Sequence, residues 1–247
     1  MENALLIGLS RQVALGRELD VVANNVANVT TNGFKARTAR FREYLMPKAS
    51  ADAFQQADRR LSFVIDDGTP LNFEPGPIER TGNPLDVAIK GDAFLVVATP
   101  RGERYTRNGS LEINARGELV TSDGHAIQGE NGPITFGNTE TGITIAPDGT
   151  VTTNLGQRGK VRLVRFDDVR ALDNEGANLF ASRAPALPAG RAAKLEAGAL
   201  ERSNVKPVIE MARLIEVNRS YTSVASMIQK TDELRRSALS RLADMPA

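Results

Sequence analysis

Few side chains in this sequence could carry acid–base or metal chemistry. The 247 residues include one histidine and no cysteine. His125 follows Asp123-Gly124, a turn pair, so it is expected to border a hairpin turn. A lone histidine with no partner at helical spacing is a poor metal set. The acidic pairs Asp66-Asp67 and Asp167-Asp168 are adjacent in the chain. Neighbours in a strand face opposite sides, so neither pair supplies the two facing carboxylates of a glycosidase, and turn or loop roles are expected. No phosphate-cradling glycine loop and no dinucleotide fingerprint is present. The triplets beginning at Asn28, Asn108 and Asn218 match a glycosylation pattern that recurs by chance, and Tyr105-Thr106-Arg107 is expected to act structurally. No catalytic residue, cofactor site or metal site is expected. The reading from another class, a periplasmic hydrolase borne on a β domain, needs a convergent acid, base or nucleophile that His125 and scattered carboxylates do not provide.

Charge narrows the partners. With 31 basic and 30 acidic residues the net charge is +1, so no basic excess points to nucleic acid or an anionic membrane. Hydrophobic residues make up 41% and charged residues 25%, which suits a folded chain. No apolar run approaches the ~20 residues that span a bilayer, so no membrane insertion is expected. The apolar run at residues 4–9 lacks a positive flank and a small-residue cleavage site, so no cleaved signal peptide is expected.

The remaining polar groups of interest are amides on a helix. Residues 21–34 carry no charge and include Asn24, Asn25 and Asn28. Leu15, Leu19, Val22, Val26 and Val29 are spaced 4, 3, 4, 3, a heptad seam. Leu5, Leu6, Leu9 and Val13 continue the helical period in a shifted phase, and Gly8 and Gly16 interrupt the heptad, so the first turns are expected to pack on neighbouring molecules. The β-branched Thr30 and Thr31 weaken the helix. It is expected to end near Asn32, with Gly33 as a left-handed cap and Phe34 folding back onto Val29. A solvated helix face normally carries Lys and Glu, so a small amide-bearing face predicts contact with other protein.

The other end mirrors this one. Asn204 is expected to cap a helix whose first turn holds Pro207. Leu214, Val217, Tyr221, Val224, Ile228 and Thr231 are spaced 3, 4, 3, 4, 3, and residues 220–229 are again free of charge. The two seams predict that the terminal helices pair with each other.

Between them the period changes. β-type runs at 85–89, 94–98, 111–113, 119–121, 143–145, 151–153 and 161–166 alternate with turn signals. Asn108-Gly109, Asp123-Gly124, Asn131-Gly132 and Asp148-Gly149 are all favoured hairpin pairs. The expected fold is α+β. A discontinuous coiled-coil-like domain of paired helices (1–35 and 201–247) brackets an extended connector (36–75, with a short helix near 50–58). An all-β antiparallel sandwich or barrel-like domain follows (76–200).

Residues 23–35, Ala-Asn-Asn-Val-Ala-Asn-Val-Thr-Thr-Asn-Gly-Phe-Lys, resemble the signature of the flagellar basal-body rod and hook family. The run from Leu200 to Val205, with Glu210-Met211, Ile215, Arg219 and Tyr221, resembles that family's C-terminal helix. Residues 81–91 and 105–109 are similar to members carrying a single β domain; the opening Met-Glu-Asn-Ala-Leu and the length favour a proximal-rod type, with the distal-rod type the near alternative and a hook-type subunit less so. The resemblance implies a structural subunit that assembles helically with other proximal and distal rod proteins. It implies export without a cleaved signal through the flagellar type III apparatus, a place in the periplasm-spanning basal body, and torque transmission for motility. It assigns helix pairing and assembly to Leu19, Val22, Asn24, Asn25, Val26, Asn28, Val29, Gly33, Phe34, Leu214, Val217, Tyr221, Val224 and Ile228. A head-to-tail contact that does not close a ring builds a helical filament, and helices that find their partners only in the polymer order on assembly.

Overall fold

The structure, a computed structural model, describes residues 2–45 and 62–243. The helix expected near 50–58 lies outside the described residues. The chain divides into two compact units. One comprises residues 1–27, 37–71 and 206–247, and the other residues 28–36 and 72–205.

The first unit holds the two long helices, α1 (Glu2–Ala27) and α2 (Pro207–Ala243), and a two-stranded antiparallel sheet. At ~1.5 Å per residue the 37 residues of α2 span about 55 Å. The helices run antiparallel: Gly8 faces Ile228, Gly16 faces Tyr221 and Glu18 pairs with Arg213. Gly8 and Gly16 therefore lie against α2, where the sequence suggested contact with other molecules. Their missing side chains make room for two large ones.

The helix α1 ends five residues before Asn32, where it was expected to stop. Thr31 explains the early end. Its N–H donates to the Asn28 carbonyl at 3.2 Å and its hydroxyl to the Asn28 side chain at 3.1 Å, closing a turn that competes with the helix. Gly33 has the positive φ that was anticipated (68°), but it caps no helix. In the region read as a connector, strands Phe41–Leu45 and Ser62–Asp66 pair with Arg42 opposite Ile65, and Arg37 bridges to Leu71.

The second unit is built around strand Phe94–Thr99. It pairs antiparallel with Gly102–Thr106 on one side and Ala126–Gly129 on the other, and Leu163–Arg165 also joins it. The sheet continues through Leu179–Ser182 to Leu172–Gly176 at one end, and through Leu119–Thr121 to Leu111–Ile113 at the other. Phe94, Leu95, Val96 and Val97 are all buried, because both faces of this strand are covered. Leu95 and Val97 enter the main core with Ile89, Leu119, Ile127 and Val151. Phe94 meets Phe73, Phe166 and Phe180 in ring contacts of 5.7–5.9 Å. Two further sheets feed the main core, Thr144–Ile145 with Thr150–Thr153 and Gly156–Lys160, and Val87–Lys90 with Lys194–Ala197. The architecture is thus α+β, with terminal helices and an antiparallel β domain inserted in the chain between them.

Three of the four hairpin dipeptides turn as expected: Gly124, Gly132 and Gly149 all have positive φ. Asn108-Gly109 does not. Gly109 is there for close approach, since a Cβ would fall 1.7 Å from the Val87 carbonyl oxygen. Asn204 also departs from expectation. Its side chain accepts from the Ala36 N–H at 2.7 Å and donates to the Asn72 and Glu74 carbonyls, so it ties loops together and does not cap α2.

Candidate assembly surface

Each helix of the first unit presents two kinds of face. On α2, Leu214, Val217, Tyr221, Val224, Ile228 and Thr231 are all buried or half-buried, so the heptad seam is the covered face. On α1, Val22 is buried and Leu15, Leu19 and Val26 are half-buried. Arg213 crosses between the helices, donating from Nε at 3.0 Å and from a terminal nitrogen at 2.7 Å to one Glu18 oxygen. An ion pair this exposed stabilises by ~1 kcal/mol or less and serves mainly to fix register.

The opposite faces are not simply small and polar. On α1, Leu6, Leu9 and Val13 are exposed at helical spacing, Val13 to 66%. On α2, Val208, Met211 and Ile215 repeat the same 3, 4 spacing, with Ile215 at 63%. Met227 and Leu234, one heptad apart, are exposed on another side of α2, with Leu234 at 70%. Nine of the thirteen large exposed hydrophobics among the described residues lie on these two helices. Isolated exposed apolar residues are ordinary, but stripes at helical spacing mark a contact surface. The phase shift of Leu6, Leu9 and Val13 against the main seam was the sequence signal for this second stripe.

The asparagines divide. Asn25 is buried and clamps the backbone of Arg37: its Oδ1 accepts from the Arg37 N–H at 2.9 Å and its Nδ2 donates to the Arg37 carbonyl at 2.8 Å. It thus mimics a strand partner inside its own unit. Asn24, one residue earlier, is exposed. Asn28 and Val29 are half-buried beyond the end of α1.

Gly33 and Phe34 are buried in the second unit. The Gly33 N–H donates to the Glu201 carbonyl at 2.7 Å, and a Cβ on Gly33 would stand 2.6 Å from the Arg107 carbonyl. This segment leads into a cluster that sequence reasoning missed. Glu201 Oε1 accepts from Lys35 at 2.6 Å and from the Gly76 N–H at 3.0 Å, while Oε2 accepts from Arg107 at 2.9 Å. Arg107 also donates to the carbonyls of Ile89, Gly91 and Ala93, and Lys35 to that of Glu74. The side chains of Lys35 and Glu201 are 0% and 1% exposed. Burial raises the Glu201 carboxyl, but Arg107 and Lys35 outweigh it and hold it below the usual range. Burial lowers Lys35 by more than Glu201 raises it. Arg107 was expected to act structurally, but the three residues lie far apart in the chain and only the structure brings them together.

His125 is half-buried after the Gly124 turn, and its carbonyl accepts from the Thr121 N–H. Asp168 caps the short helix Val169–Ala171, and Asp167 pairs with Arg165. Among the described residues no group of His, Cys, Asp and Glu could hold a metal ion, and no helix is long and apolar enough to cross a membrane.

Three family descriptions match successive parts of the chain. "Flagella basal body rod protein" covers residues 5–35, "Flagellar hook protein FlgE/F/G D1 domain" residues 88–153, and "Flagellar basal body rod FlgEFG protein C-terminal" residues 196–241. The chain is 42% identical over 245 residues to the flagellar basal-body rod protein FlgF of Caulobacter vibrioides, covering 98% of each. It is 33% identical to FlgF of Mesorhizobium japonicum, covering 94% of each. To the rod protein FlgG of Caulobacter vibrioides it is 30% identical, covering 94% of this chain and 96% of that one.

Proposed function

The chain belongs to the flagellar basal-body rod protein family and is a structural subunit of that rod; from this premise we propose that its terminal helices grip neighbouring subunits through the apolar stripes left uncovered by their own pairing. Assembly with other rod or hook components follows from the family, as does a place in the basal body. The observation that carries the helix proposal is the second stripe: Leu6, Leu9 and Val13 on α1, and Val208, Met211 and Ile215 on α2, all exposed at 3, 4 spacing. Leu19, Val22, Val26, Leu214, Val217, Tyr221, Val224 and Ile228 hold the pair together, and Asn24 with the outer stripes meets other chains. The chemistry is that of apolar burial and not of turnover, so the subunit has no enzymatic role. Its single histidine and its capped and paired carboxylates support that reading.

The chain sits in the rod as an FlgF-type subunit. Its identity to the FlgF of one organism exceeds its identity to that organism's FlgG, 42% against 30%. Rod proteins of both types are its partners. It passes unfolded through the flagellar type III export apparatus. The apolar stripes support this, because helices whose second faces are covered only in the polymer gain most of their order there.

The test compares three variants. Ile215→Asp should abolish motility and rod assembly without altering the seam between α1 and α2, because it strikes the outer stripe. Val224→Asp and Val26→Asp should also abolish motility, by opening the pair, with residues 76–200 still protease-resistant. A motile cell carrying Ile215→Asp in assembled rods would refute the outer-stripe contact.

A further inference from the structure

We infer that Glu201 gates the closure of the second unit, which can pack only when this carboxylate reaches two cations that enter one buried site from distant parts of the chain. Lys35 lies 166 residues before Glu201 and Arg107 lies 94 residues before it. Both bond to the same carboxylate, one to each oxygen, at 2.6 and 2.9 Å. Their other partners are neutral: the Glu74 carbonyl for Lys35, and the Ile89, Gly91 and Ala93 carbonyls for Arg107. Carbonyl oxygens orient a buried cation but do not neutralise it. Without Glu201 the unit would have to enclose two like charges side by side, and an uncompensated buried charge strongly opposes the packed state.

Glu201 also closes the backbone. Its strand, Ala199–Glu201, pairs with Ile78–Arg80, and its carbonyl accepts from the Gly33 N–H. One residue thereby joins the segment that enters the unit, the loop at Gly76, Arg107 in the middle of the unit and the segment that leaves it. It lies four residues before the end of the unit at Val205. During synthesis the β domain therefore stays open until nearly all of it has been made. An open chain is the form that a narrow export channel accepts, and this last consequence rests on the export reading above.

The experiment uses the full-length chain and follows unfolding of the second unit in urea by near-UV circular dichroism and protease resistance. Glu201→Gln keeps the shape of the side chain and removes its charge, and should lower the folded-to-unfolded ratio at least about a hundredfold. Adding Lys35→Met removes one bare cation and should recover at least about tenfold of that loss, whereas a packing role alone would make the two losses add. A Glu201→Gln chain as stable as the parent would overturn the gate. So would a Lys35→Met/Glu201→Gln chain that is no more stable than Glu201→Gln. In cells, Glu201→Gln should raise the amount of chain exported. If rescue by Lys35→Met is seen and export is unchanged, the gate stands and the export reading falls.

Discussion

Gly8 of α1 lies against Ile228 of α2, so closely that a Cβ on Gly8 would stand 3.2 Å from the Ile228 Cγ1. Gly16 repeats the arrangement with Tyr221, at 3.6 Å. Glycine inside a helix costs up to ~1 kcal/mol relative to alanine; at Gly8 the close approach of Ile228 sets against that cost, while the Gly16 contact is of ordinary van der Waals length. Each offers a flat site on α1 where a large side chain of α2 rests.

Gly8→Val should destabilise the helix pair by about 1–3 kcal/mol through overpacking against Ile228. Gly8→Ala should be close to neutral, because the gain in helix propensity offsets a tight but yielding contact. Thermal melting of the helical circular dichroism signal distinguishes them. Equal melting of Gly8→Val and the parent would show that the helices do not pack at this point.

Gly33→Ala should be more damaging than its position at a chain turn suggests. Its φ of 68° costs a residue with a Cβ about 1–2 kcal/mol, and the added Cβ would collide with the Arg107 carbonyl at 2.6 Å. Relieving that collision moves Arg107, which holds Glu201. The urea midpoint should fall with no change of slope. An unchanged midpoint would mean that the segment approaches Arg107 less closely than described.

The helical ends and the antiparallel middle were legible in the chain, because period and turn chemistry are local. The seam from Leu214 to Thr231 is the covered face of α2, and Gly124, Gly132 and Gly149 turn where their dipeptides indicate. What was hidden depends on long-range partners. Asn25 and Asn204 look like assembly and capping residues, yet both bind backbone that is distant in sequence or outside any helix. The sequence marks Arg107 only as a structural residue within Tyr105-Thr106-Arg107 and gives no sign that it meets Lys35 and Glu201; folding brings the three into one dry site. Gly8 and Gly16 read as defects in a heptad because the sequence shows the missing side chain and not the partner that fills its place.

Asn25→Ala should cost about 1–3 kcal/mol, since the Arg37 N–H and carbonyl would each lose a partner. Asn24→Ala, one residue away and exposed, should leave the Asn25 clamp on Arg37 in place. Hydrogen exchange at the Arg37 amide reads the difference directly. Faster exchange is expected in Asn25→Ala alone, and protection equal to the parent would show that the clamp does not form.

The buried cluster should also give the second unit a distinctive dependence on pH. Burial pushes the Glu201 carboxyl up, but Arg107 and Lys35 together pull it below the usual glutamate range. In the unfolded chain it returns to an ordinary value. Between those two values the unfolded chain binds a proton that the folded chain does not. The contribution of Glu201 is therefore complete above the ordinary glutamate value and is lost as pH falls through the lowered one. Lys35 acts at the other end. Burial lowers it, Glu201 pulls it back up, and Arg107 lowers it further. Its unfolded form holds a proton over a range in which the folded form has released it, so stability rises with pH from the lowered value towards the ordinary lysine value. Urea midpoints measured across pH should show an acid limb and an alkaline rise. In Lys35→Met/Glu201→Gln the acid limb should be shallower and the alkaline rise absent. Curves of the same shape in both chains would show that other carboxylates and lysines set the profile and that the Lys35–Glu201 pair does not.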